Sequence, residues 1–203
     1  MGNQKRVKAI LEEEAIIIKD EKEANTLHQQ GWYGKLKNNK LIIDPFEALH
    51  LIERKKIILY ALNDQGEREV SAQEASQIFS KNNKTFWRNY VVYKDLRNRG
   101  YVVRIGQKND PFFFKLYPRG TVPNKTPYEA IIIPLQEGTG FPIKELDEVI
   151  RIATSTRKKL VFALVDSLGD ISYVTVNELE LEDISNDKEF PKWEKRGEKN
   201  EGI

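Results

Sequence analysis

Chemistry in this chain has to come from a short list of side chains. Cysteine is absent, which excludes disulfides and thiolate metal sites. Histidine occurs twice, at His28 in TLHQQG and His50 in EALHLI. Each reads more readily as a packing or surface residue than as an acid or base. Other groups able to carry charge or a proton are the 31 carboxylates, the phenols and the cations. Tyr117 lies in Lys115-Leu116-Tyr117-Pro118-Arg119. A free phenol has a pKa of about 10 and is a poor base near neutrality unless cations lower that value, which Lys115 and Arg119 are placed in sequence to do. The same tyrosine would also serve as a strand-end residue that packs its ring and wets its hydroxyl. Arg157-Lys158-Lys159 falls where a helical pattern meets an apolar strand. An ammonium there can neutralise charge developing in a transition state. It can equally be a solvated basic turn favoured by the helix dipole.

The elements that must position these groups follow from patterning. Gly31-Trp32-Tyr33-Gly34 reads as a turn and Leu41–Ile43 as a short strand. PFEALHLIERKK is an amphipathic helix with Asp44 as N-cap. Ile57–Leu62 is a strand followed by a turn at Asn63–Gly66. Ser71 and Glu74 stand at capping-box spacing, so a helix starts there. Next come a helix face with Phe86, Trp87, Tyr90, Val91 and Leu96, and a stop at Asn98-Arg99-Gly100. Strands are expected at Tyr101–Arg104, Phe112–Leu116 and Ala130–Ile133. Pro142–Ser155 carries apolar residues at helical spacing, and Lys159–Val165 and Ile171–Val176 are strands joined by a turn. The expected fold class is α+β: a small N-terminal α+β domain over 1–83, then a second domain over 84–181 with a central mixed sheet flanked by helices. A charged, disordered tail is expected over 182–203.

Bulk composition narrows the partners. The 203 residues are 39% hydrophobic and 32% charged, with 33 basic against 31 acidic side chains. A net charge of +2 is not the global excess of a non-specific nucleic-acid binder; if RNA is bound, the positive field must be local. No run of 18 apolar residues is present and the start does not read as a secretory signal, so no membrane partner and a cytoplasmic location are expected.

Four stretches resemble the archaeal tRNA splicing endonuclease family. EANTLHQQGWYGKL followed by DPFEALHLIERKKI is similar to its N-terminal domain. YVVYKDLRNRGYVVRIG resembles its "VYKDLRxRGYVVKxG" segment. FKLYPRG and RIATSTRKKLVFALVDSLGDISY resemble the segments that present a catalytic Tyr and Lys. The likeness runs from about residue 10 to 180, with order and spacing preserved.

The resemblance implies metal-free RNA cleavage with no cofactor. The ribose 2′-OH attacks the adjacent phosphorus and leaves a 2′,3′-cyclic phosphate and a 5′-OH. Tyr117 takes the base position, Lys158 the charge-neutralising position, and Lys125 stands where the family has its general-acid histidine. The family's "GxKFGxDF" approach to the Tyr strand is altered over Gly106–Phe113, and Thr154 stands where "AHS" would place a histidine. Arg151 matches an arginine that stacks on a bulged base, and Arg119 and Arg157 are further candidates for RNA contact. The loop holding Asp166 and Asp170 matches an acidic loop that docks a neighbouring subunit. The implied partners are precursor tRNA with a bulge-helix-bulge junction and a second copy or another endonuclease subunit. The lysine at position 125 leaves two readings open: an active subunit, or a non-catalytic structural subunit of a heterotetramer. A generic RNA-binding α+β module is a third.

Overall fold

Capping chemistry sets where the helices begin. In a computed structural model, which describes residues 6–13, 15–63, 66–107 and 113–176, α1 (Glu21–Gly31) opens on Asp20, whose carboxylate accepts the Glu23 N–H at 2.8 Å. α2 (Pro45–Glu53) opens on a full capping box at Asp44, with Pro45 in the first turn. It ends at Glu53, three residues short of the expected span. Lys55 adopts a left-handed conformation, and the Lys55 and Lys56 N–H groups donate back to Ile52 and Leu51 O at 2.9 Å. That is a Schellman closure, which stops a helix regardless of apolar periodicity. α3 (Ala72–Ser80) opens on Ser71, which accepts the Glu74 N–H at 3.1 Å. The reciprocal arm expected from Glu74 is not made. Its carboxylate instead accepts from both terminal guanidinium nitrogens of Arg68, at 2.8 and 2.6 Å.

A six-stranded sheet accompanies these helices. Its strands are β1 (Val7–Glu12), β2 (Ala15–Ile18), β3 (Lys35–Lys37), β4 (Lys40–Ile43), β5 (Ile57–Asn63) and β6 (Gly66–Val70), in the order β3-β4-β2-β1-β5-β6. Only β1 and β5 pair in parallel. The second sheet follows α4 (Phe86–Asn98). It comprises β7 (Val102–Gln107), β8 (Phe113–Tyr117), β9 (Ala130–Gln136), β10 (Lys159–Val165) and β11 (Ile171–Val176), in the order β11-β10-β9-β8-β7. β9 and β10 are parallel because α5 (Ile143–Thr156) connects them. The other pairs are antiparallel.

Alternation along the second sheet divides its side chains between two cores. Phe114, Ile132, Ala163 and Val165 face α4 and join one apolar cluster with the helices and strands of the first sheet. Phe46 of α2 stacks on Phe86 at 5.0 Å and meets Phe114 at 6.0 Å, so aromatic packing ties the two sheets together. Phe113, Ile131, Ile133 and Leu160 face the other way and pack under Val149 and Ala153 of α5. The result is the mixed sheet flanked by helices expected from the sequence. Phe112, Asp64, Gln65, the altered approach over 108–112 and the expected tail over 182–203 lie outside the described residues. Among the described residues no helix is long and apolar enough to cross a membrane.

Candidate active site

Three strand ends meet at one end of the second sheet. Leu116 of β8 pairs with Ala130 of β9, and Ala130 pairs with Lys159 of β10. Two bonds continue the ladder: the Glu129 N–H donates to Leu116 O at 2.8 Å and the Lys159 N–H to Glu129 O at 3.2 Å. Register alone therefore brings Tyr117, the last residue of β8, and Lys158, just before β10, to either side of the entry into β9. Lys125 lies in the loop between β8 and β9, exposed, on a turn where Val122 O accepts its N–H at 2.8 Å and that of Thr126 at 2.9 Å.

Lys158 is aimed by the way α5 ends. The Arg157 N–H donates to Thr154 O at 3.1 Å and the Lys158 N–H to Ala153 O at 2.9 Å, with Arg157 itself at φ 53°. This is again a Schellman closure, here carried by an arginine where glycine is the usual occupant. A left-handed non-glycine residue costs about 1–2 kcal/mol. The strain sits directly beside the candidate ammonium.

Tyr128 is the residue around which the groups gather, and patterning gave no sign of it. Its ring lies 6.0 Å from that of Tyr117 at 64°, and it packs against the α5-side core. Lys158 Nζ is 5.1 Å from its centroid and Lys115 Nζ 5.2 Å. Cation–π contacts of this kind contribute about 0.5–1 kcal/mol at part-exposed sites, enough to bias an ammonium's position.

The electrostatics of Tyr117 differ from the sequence expectation. Burial pushes its phenol above the usual value; the charge of Arg104 opposes that rise and the nearby Tyr128 adds to it. Neither flanking cation is the one acting. Lys115 sits on Tyr128, and the Arg119 guanidinium lies over the Tyr101 ring at 5.0 Å. Arg104 does the work because it is the residue on β7 directly across from Lys115, one alternation from the pair formed by Val102 and Tyr117. It is held from the first sheet's side: it donates to Gly34 O at 2.5 Å. Gly34 in turn donates its N–H to both oxygens of buried Glu47, at 3.0 and 2.9 Å. Burial pushes the Glu47 carboxyl up, while the Asp44 and Gly34 N–H groups, Arg104 and Arg97 favour its charge.

Neither histidine joins the site. His50 is buried in α2, and burial together with Arg97 and Arg54 lowers its pKa to about 4. His28 places Nδ1 2.6 Å from Tyr33 O. The other sequence candidates are spread over the surface, with Asp166 and Asp170 at the opposite end of β10 from Lys158. Arg151 is exposed on α5, in an open groove of about 630 Å³ that it lines with Lys144, Asp147, Ile150, Thr154 and Ser155. Arg119 and Arg157 are exposed. Asp166 and Asp170 close the β10–β11 loop, where Asp166 Oδ1 accepts the N–H groups of Leu168 at 2.8 Å and Asp170 at 2.9 Å. Leu168 is 87% exposed at the tip of that loop, and β11 is an edge strand.

Comparison with known proteins places two family models on the chain. That of the tRNA intron endonuclease N-terminal domain matches residues 7–74, and that of the tRNA intron endonuclease catalytic C-terminal domain matches 86–173. A tRNA-splicing endonuclease of Methanothermobacter thermautotrophicus is 33% identical over 172 residues, covering 85% of this chain and 97% of the relative. One from Methanococcus vannielii is 33% identical over 178 residues, covering 88% and 97%. One from Thermococcus kodakarensis is 30% identical over 161 residues, covering 79% and 91%.

Proposed function

The chain belongs to the tRNA intron endonuclease family, and on that footing we propose that it is a catalytic subunit of a metal-independent tRNA splicing endonuclease. Tyr117 takes the proton of the ribose 2′-OH. The 2′ oxygen bonds to phosphorus, the bond from phosphorus to the 5′ oxygen breaks, and Lys125 gives that oxygen a proton. The products are a 2′,3′-cyclic phosphate and a 5′-OH. Lys158 neutralises charge on the phosphoryl oxygens as the phosphorane forms. The observation that carries this reading is the common sheet end: Tyr117 closes β8 and Lys158 immediately precedes β10, yet both meet the Tyr128 ring. Arg119, Arg151 and Arg157 supply local positive charge for the RNA around that end. The loop from Asp166 to Asp170, with Leu168 at its tip, and the edge strand β11 form the docking face for another subunit.

Two observations favour the second reading, a non-catalytic subunit that docks and positions RNA for a partner. Lysine occupies position 125, and the Tyr117 phenol is pushed up rather than down. The purified chain, incubated in EDTA with precursor tRNA bearing a bulge-helix-bulge junction, separates them. Cleavage to 2′,3′-cyclic phosphate and 5′-OH ends supports the catalytic reading. Cleavage only after adding an endonuclease subunit that carries the histidine supports the second. Absence of both RNA binding and cleavage refutes each.

A further inference from the structure

Lys115 is placed where a structural lysine would be poorly chosen. It stands directly across the β7–β8 ladder from Arg104, and like charges facing each other across two strands repel. Arg104 has the Gly34 carbonyl and the charge of Glu47 to offset it. Among the described residues no carboxylate forms an ion pair with Lys115 or Lys158. Lys115 is half-buried, so its charge is only partly given to water. Across β9 it pairs with Ile131, whose side chain belongs to the core under α5. Alternation therefore puts Lys115 on the same sheet face as Tyr117, two residues on. Its ammonium then converges with that of Lys158 on the single ring of Tyr128. Two ammoniums on one ring, beside a candidate base and without a counter-carboxylate, make a site for an anion.

We propose that Lys115 is a second phosphate-binding ammonium of this site, contacting the RNA phosphodiester at the cleavage junction, and that Tyr128 is the positioning residue holding Lys115 and Lys158 toward it. The inference rests on the endonuclease reading above and adds to it a residue and a ligand contact. With no histidine beside the leaving group, a second fixed cation on the phosphoryl oxygens is the compensation the sheet provides.

The test uses the full chain and a bulge-helix-bulge RNA carrying a 2′-deoxy ribose at the cleavage position, so that binding is read without turnover. Lys115→Met should make the log–log dependence of affinity on salt shallower by about one unit, as expected for one lost phosphate contact. Single-turnover cleavage of the all-ribose RNA should fall roughly tenfold or more. The melting temperature of the free protein should hold or rise, because a like-charge pair is removed. Lys115→Arg should restore the salt slope, and Tyr128→Leu should lose slope and rate while Tyr128→Phe keeps both. A measurement on the wild type needs no variant to fold: acetylation of Lys115, read by mass spectrometry, should be blocked by the bound RNA. A Lys115→Met protein with wild-type slope and rate, or a Lys115 left unprotected in the complex, overturns the proposal while leaving the endonuclease reading intact. A wild type that does not bind the RNA overturns both.

Discussion

Replacing Lys125 with histidine installs the acid that the resemblance leads one to expect, at a position that tolerates the exchange. The side chain is exposed, and the turn is closed by backbone bonds to Val122 O that do not depend on it. Imidazolium as a class is a stronger acid than a lysine ammonium by roughly four pKa units. If about half of that difference is expressed in the transition state, the protonated form gains roughly 10²-fold in rate. At pH 7 only about a quarter of imidazoles with the ordinary pKa of about 6.5 are protonated, so the net gain is roughly 25-fold. The phenolate fraction of Tyr117 cancels in this ratio, since the same base serves both proteins. The shape of the pH profile changes as well. With a phenol pushed up by burial as base and a lysine as acid, the rate should climb about tenfold per pH unit through neutrality. With histidine, the growing phenolate fraction is matched above about pH 6.5 by loss of the acid, and the profile flattens. Single-turnover cleavage of a bulge-helix-bulge RNA between pH 5.5 and 9 measures both features. A Lys125→His protein with an unchanged rate and a still-rising profile would refute position 125 as the acid.

Two further outcomes concern stability. His50 is held neutral by burial, with its pKa lowered to about 4 from the unfolded value near 6.5, so the unfolded chain binds the extra proton. Stability should be complete above about pH 6.5 and fall by up to about 3 kcal/mol as pH drops toward 4. Urea unfolding of His50→Leu should show a shallower acid decline; coincident curves for the two proteins would count against the assignment. Glu47→Gln turns an amide N–H₂ toward a donor where the carboxylate accepted N–H groups from Gly34 and Asp44. It should destabilise by about 2 kcal/mol, a fall in Tm of about 4–8 °C, part of the loss being offset because the buried charge is itself unfavourable. Calorimetry with an unchanged Tm would remove Glu47 from the junction's supports.

Much of the scaffold was legible because its signals are local. Asp44 with Pro45 and Glu47, and Ser71 before an apolar period, mark helix starts whose chemistry is complete within four residues. The apolar runs that became β9 and β10 name their own burial. The first sheet's outer strands were not legible: β3 reads Lys-Leu-Lys and β6 Gly-Glu-Arg-Glu-Val, with nearly every residue exposed and no alternation to detect. In the candidate site, Tyr117 and Lys158 were reached through resemblance. Their convergence depends on a register linking residues more than forty apart, which no short window contains. Tyr128 and Arg104 were missed for the same reason. Each acts through a neighbour across the sheet, and a lone aromatic after Lys-Thr-Pro or a single arginine in a strand carries no mark of that. Lys115 and Arg119 do not lower the Tyr117 phenol because each is drawn to another ring, Tyr128 for Lys115 and Tyr101 for Arg119, while Arg104 acts on it from across the ladder.

Cleavage by Tyr117 and Lys158 is placed at the end of the sheet where β8 stops and β10 begins, on either side of β9. Its most direct test is single-turnover cleavage by the wild type, Tyr117→Phe and Lys158→Ala, in EDTA, with affinity measured separately on the 2′-deoxy RNA. Tyr117→Phe should bind as the wild type does and cleave about 10²–10⁴-fold more slowly. Lys158→Ala should lose about 10²–10³-fold in rate with a smaller loss in affinity. Cleavage by either variant at the wild-type rate, with the same RNA ends, would contradict the account.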